Sequence, residues 1–107
     1  MTGTKLHFDT EPPYYAVIFT AQKNGDRASH DAMAARLTSL VQGMPGFLGI
    51  EYAESERCIM VSYWESKEAI QAWMAHSEHQ AAKDLGKETW YETYAVRICL
   101  VENQYGS

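Results

Sequence analysis

The stretch AWMAHSEHQAAK, residues 72–83, sets His76 and His79 three residues apart and close behind Trp73, in a chain with four histidines. Imidazole titrates near neutrality, so such a pair can move protons, bind a metal or simply pack. On one continuous helix the two rings would be neighbours on one face. A metal would need further converging ligands. The chain has no HExxH, no cysteine cluster and no carboxylate at a recognisable spacing, and Glu78 and Asp84 are near but ungrouped. No metal is expected on that ground. Two readings stay open. One ring faces a cavity and handles protons, His79 ahead of His76. Alternatively His76 ends one helix, where its ring suits the C-terminal dipole, and His79 packs in the next.

Aromatic residues gather in the same part of the chain: Tyr63, Trp64, Trp73, Trp90 and Tyr91. They could form core and dimer contacts, since aromatics dominate cores. They could also wall a pocket for a flat, apolar substrate. Trp64 ends a strand at the mouth of a helix, which favours it for a wall. Arg97 stands between apolar neighbours, and either pairs with a carboxylate such as Glu51 across the sheet or holds an anionic substrate group. Asn24 reads as a turn residue. There is no GxGxxG, P-loop or nucleophile elbow, so pyridine-nucleotide and phosphoryl-transfer chemistry have no support.

These residues must be carried by one compact domain, because 107 residues suffice for a single core. With 46% hydrophobic and 21% charged residues the composition is that of a folded globular chain. A net charge of −5 disfavours a nucleic-acid partner. No stretch approaches the ~20 apolar residues of a membrane span, and the N-terminus has no apolar signal core. A cytoplasmic protein with no membrane partner is expected. Cys58 and Cys99 each lie in an apolar run and read as buried thiols rather than a disulfide framework.

Residues 1–13 read as a tail ending in Pro12-Pro13. Tyr14–Gln22 is aromatic and β-branched, apolar on both alternating faces, hence a strand buried on both sides. Ser29–Gln42 reads as a helix capped by Ser29, with Asp31 in its first turn and Met33, Leu37, Leu40, Val41 and Met44 on one face. Gly43 and Pro45 stop it. GFLGIEYAES and RCIMVSYW are strands around a turn at Glu54–Arg57. Ser66 caps a second helix with Glu68 in its first turn and Ala69, Ile70 and Trp73 on its buried face. The spacing of Ser77 and Gln80 is that of a capping box, so this helix is expected to break near His76 and restart, ending at Gly86. Trp90–Val101 is the last strand, apolar at Tyr94, Val96, Ile98 and Leu100.

The order is β-α-β-β-α-β, the ferredoxin-like α+β arrangement. Two helices cover one face of such a sheet. The first and last strands are apolar on both sides, so the other face needs a cover, and a second copy supplies it. A sheet-to-sheet homodimer is expected, with a cavity inside each monomer between sheet and helices.

PGFLGIEYAES, VSYWESKEAIQAW and HSEHQAAK resemble the antibiotic biosynthesis monooxygenase (ABM) superfamily, over residues 14–102, leaving 103–107 as a second tail. The resemblance implies a dimeric α+β barrel of two ferredoxin-like units. It also implies oxidation of a small aromatic phenol, quinol or anthrone by O₂ with no metal, flavin or haem: a base removes a substrate proton and the carbanion reacts with O₂. Such chemistry needs a dry aromatic pocket and donors for the developing anion. By this likeness Trp64 and His79 match best, and His76 and Trp73 match a narrower subgroup. The expected site is thus His79 and His76 as catalytic residues, with Trp64, Trp73, Tyr91 and Arg97 binding substrate. A haem-degrading branch matches less well. Trp73 fits its helix tryptophan, but the axial histidine falls near Lys83 and YYAVIF offers no asparagine. A third possibility is a small-molecule binding domain without turnover.

Overall fold

The computed structural model describes residues 10–23, 27–76 and 91–106. The elements run β1 (Tyr14–Lys23), α1 (Arg27–Val41), β2 (Phe47–Glu54), β3 (Arg57–Trp64), α2 (Lys67–Ala75) and β4 (Tyr91–Val101). The four strands form one sheet in the order β2-β3-β1-β4, with every neighbouring pair antiparallel. This is the ferredoxin-like arrangement expected from the sequence. The proposed capping box at Ser77 and Gln80, together with Asn24, His79, Gly86 and Trp90, lies outside the described residues.

Helix α1 begins at Arg27. Ser29, read from the sequence as its cap, therefore falls inside it, and no acidic residue stands in its first turn. Arg27 and Ala28 are strong helix formers, so the helix extends past the Ser29 signal. Helix α2 follows its local code closely. Ser66 is its N-cap, with Oγ accepting from the Ala69 N–H at 3.1 Å, and Glu68 sits in the first turn. His76 is the C-cap in an extended conformation (φ −61°, ψ 134°), so the helix stops where the sequence suggested a break.

The register divides the side chains between two faces. In an antiparallel pair, residues directly opposite each other share a face. Tyr15, Val17, Phe19 and Ala21 of β1 oppose Trp64, Ser62, Met60 and Cys58 of β3, and Leu100, Ile98, Val96 and Tyr94 of β4. This is the helix face. Its core is Val41, Trp64, Ile70 and Trp73, packed against Tyr15, Val17, Leu37, Leu40, Met44, Phe47, Ala69 and Met74. The helix positions chosen by periodicity all enter this core except Met33, whose side chain lies outside the description.

The open face carries Tyr14, Ala16, Ile18 and Thr20 opposite Tyr63, Val61 and Ile59 of β3 and Cys99, Arg97 and Ala95 of β4. Cys58 is thus buried under the helices, whereas Cys99 is half-buried on the far side. Tyr63 donates to Glu51 Oε1 at 2.6 Å and meets the Tyr14 ring edge-on at 6.2 Å. Tyr14 in turn donates to Gln104 Oε1 at 2.6 Å, and Gln104 Nε2 donates to the Thr10 carbonyl at 3.0 Å. Arg97 and Glu51 do not pair as the sequence suggested, because they stand on the two outer strands with β3 and β1 between them. Partial burial, and then the hydrogen bond and charge of Glu51, push the Tyr63 phenol well above its ordinary value.

Two outcomes follow from these contacts. Gly46 has a φ of +81°, and a Cβ there would stand 2.7 Å from Ala69 Cβ. Gly46→Ala should cost roughly 1–3 kcal/mol, read as a lower urea midpoint at unchanged slope. For Tyr63 the neutral phenol is favoured in the folded state, so its folded pKa exceeds the unfolded value near 10. Its contribution is complete below about pH 10 and falls as pH rises toward the folded pKa. Tyr63→Phe should therefore flatten the loss of stability in urea titrations between about pH 9 and about pH 11. An unchanged slope would show that the phenol titrates normally.

Candidate active site

Trp64 is the fixed point of the helix face. It terminates β3, has no solvent exposure, and its indole N–H donates to Ser62 Oγ at 3.0 Å. Phe47 meets it edge-on at 5.3 Å between ring centroids. Ser62 satisfies the one polar atom of a buried indole, which would otherwise cost about 1–3 kcal/mol. Trp64 is held in a single pose and stands behind the surface rather than on it.

Trp73, one turn from the end of α2, is also buried. Its ring lies 5.5 Å from the His76 ring at a tilt of 39°. The two are brought together because His76 is the C-cap and its backbone N–H donates to the Trp73 carbonyl at 3.0 Å. That i, i+3 closure turns the imidazole back over the indole. His76 is itself half-buried. Among the described residues, no three His, Cys, Asp or Glu side chains gather into a metal-binding group.

The same face continues onto β4 with a different character. Tyr94, Val96, Ile98 and Leu100 are 39%, 45%, 49% and 48% exposed, although they share a face with the sealed core. Phe19 stacks on Tyr94 at 6.0 Å. This flank is an apolar strip beside an aromatic core, suited to a flat, apolar ligand. The sequence marked the alternation in β4. It could not say which side the strip faced, because β1 and β4 are apolar on both faces. It missed Ser62 and Phe19 as contributors, since each lies inside a strand run where no spacing singles it out.

Of the six expected site residues, Trp64, Trp73 and His76 are brought to one end of the helix face. Arg97 is not with them. It projects, exposed, from the open face, and its Nη1 lies 3.5 Å from Thr20 Oγ1. Tyr91 begins β4 opposite Lys23, just past a register shift, and its side chain lies outside the described residues, as does all of His79.

Comparison with known proteins agrees with this architecture. The chain is 49% identical over 96 residues to the Bacillus subtilis (strain 168) protein "Uncharacterized protein YqjZ", a match covering 88% of this chain and 84% of that protein. Among solved structures, Rv0793 from Mycobacterium tuberculosis superposes with a TM-score of 0.77 at 14% identity, covering 87% of this chain and 99% of that one. SnoaB, a cofactor-independent oxygenase from Streptomyces nogalater, superposes with a TM-score of 0.75 at 11% identity, covering 90% and 100%. At such identities the two structures share the fold. The family is set by sequence, since residues 13–85 match its pattern from the start of β1 through both helices, and the chain belongs to the antibiotic biosynthesis monooxygenase family.

Proposed function

We propose that the protein is a monooxygenase that uses O₂ without metal, flavin or haem and acts on a small aromatic phenol, quinol or anthrone. The observation that carries this is the Trp73–His76 ring pair at the end of α2, which sets a titratable group against an aromatic wall. Family membership and the fold shared with a cofactor-independent oxygenase support it. The apolar strip on β4 and the rings of Trp73 and Tyr91 would receive the substrate, with Trp64 as the rigid backing. Arg97 is left out of this proposed site, because it lies on the opposite face of the sheet from Trp73 and His76.

In the proposed reaction a histidine removes a proton from the ring carbon of an anthrone. The resulting carbanion adds O₂. Loss of water from the peroxide leaves a quinone, so one oxygen atom enters the product and the other leaves as water. His79 is assigned the proton transfer, with His76 as the alternative base. A positioned base contributes about 10²–10⁴-fold to such a step. The functional unit is taken to be a homodimer joined through the open sheet faces.

Metal-free protein mixed with a model anthrone in air should form quinone, followed by absorbance. His79→Ala should lower the rate by about 10²–10⁴-fold, and His76→Ala by less. Equal rates in wild type and both variants would remove the histidines from the chemistry. A wild-type rate no faster than buffer would leave a binding domain without turnover.

A further inference from the structure

One cross-strand row on the open face has charges of opposite sign at its ends. The three strand pairings place Glu51 opposite Val61, Val61 opposite Ile18, and Ile18 opposite Arg97. Glu51 and Arg97 are exposed, and the aliphatic residues between them are half-buried. Three strand spacings separate the charged ends by about 14 Å, too far for an ion pair within one chain. Glu51 is already oriented by the Tyr63 hydroxyl at 2.6 Å. Arg97 makes only the 3.5 Å contact with Thr20 among the described residues. Around the row lie Ala16, Ala95 and Ile59, the last 43% exposed.

We infer that this face docks on a second copy of the chain in one orientation, with Glu51 of each copy meeting the partner's Arg97. A two-fold axis lying between the sheets and parallel to the strands reverses the row. It sets Glu51 over Arg97 at both ends and lays the aliphatic centres on each other. An axis across the strands would set Glu51 over Glu51 and Arg97 over Arg97, and like charges opposed across an interface are strongly disfavoured. Packed sheets lie about 10 Å apart and stay within about 30° of alignment, a gap that an arginine and a glutamate reaching toward each other can bridge. The two pairs sit at the rim. They select the orientation, while the aliphatic centre supplies the attraction. The inference rests on the face-to-face dimer proposed above and adds what fixes its geometry.

Sedimentation of four samples tests it: wild type, Arg97→Glu, Glu51→Arg, and an equal mixture of the two variants. Each variant alone should self-associate at least about tenfold more weakly than wild type. The mixture should recover dimers, because a mixed dimer has an opposite-charge pair at both ends. A mixture no better than its components, or variants that dimerise like wild type, would overturn the pairing while leaving the dimer. A wild-type monomer would overturn both, and the anthrone assay would still decide the oxygenase chemistry independently. If a reversal disrupts folding by circular dichroism, the milder Arg97→Gln, Glu51→Gln and double variants provide a cycle. Coupling between the two positions is expected there, and strictly additive effects would refute it.

Discussion

The structure depends on the sealed indole of Trp64. It ends β3 and shares one buried cluster with Val41 of α1 and with Ile70 and Trp73 of α2. Burying a side chain of this size fully contributes several kcal/mol of transfer free energy, provided its N–H is satisfied. Ser62, two residues earlier on the same face, meets that condition. With β3 and α2 locked together there, the Ser66 cap starts α2 at a fixed distance from the sheet, and nine helical residues later His76 closes it. The position of the imidazole is therefore inherited from a tryptophan twelve residues upstream.

Gly46 works on the same joint from the other side. Its carbonyl accepts from the Glu65 backbone N–H at 2.8 Å, and its missing side chain leaves space for Ala69. The loop after α1 can thus lie against the first turn of α2. The two helices meet over β2, β3 and β1 and leave the β4 flank apolar and accessible, so one choice of packing produces both the core and the strip beside it.

Much of the fold was legible in the residues, because local signals and burial agree. The alternation of the strands, the Ser66 cap, and the apolar spacing in both helices all lead to elements that are present. Ser29 misled, since a good cap residue was overridden by helix formers before it. The Arg97–Glu51 pair misled for a different reason. Sequence pattern shows that two charges share a face, but only strand order shows that two strands separate them. The site was legible in its residue types and not in its arrangement. Trp73 and His76 could be joined by spacing alone, whereas assigning Arg97 a side needed the register of β1 with β4.

The two cysteines lie on opposite sides of the sheet. Cys58 is under the helices on β3, opposite Ala21, and Cys99 is on β4, opposite Ala16, facing away. The sheet itself stands between the sulfurs, and a disulfide requires Cβ atoms about 4 Å apart and directed at each other. No oxidant can staple this chain to itself without first unfolding it. The native fold therefore holds together with both thiols free, through packing and hydrogen bonds and with no internal cross-link.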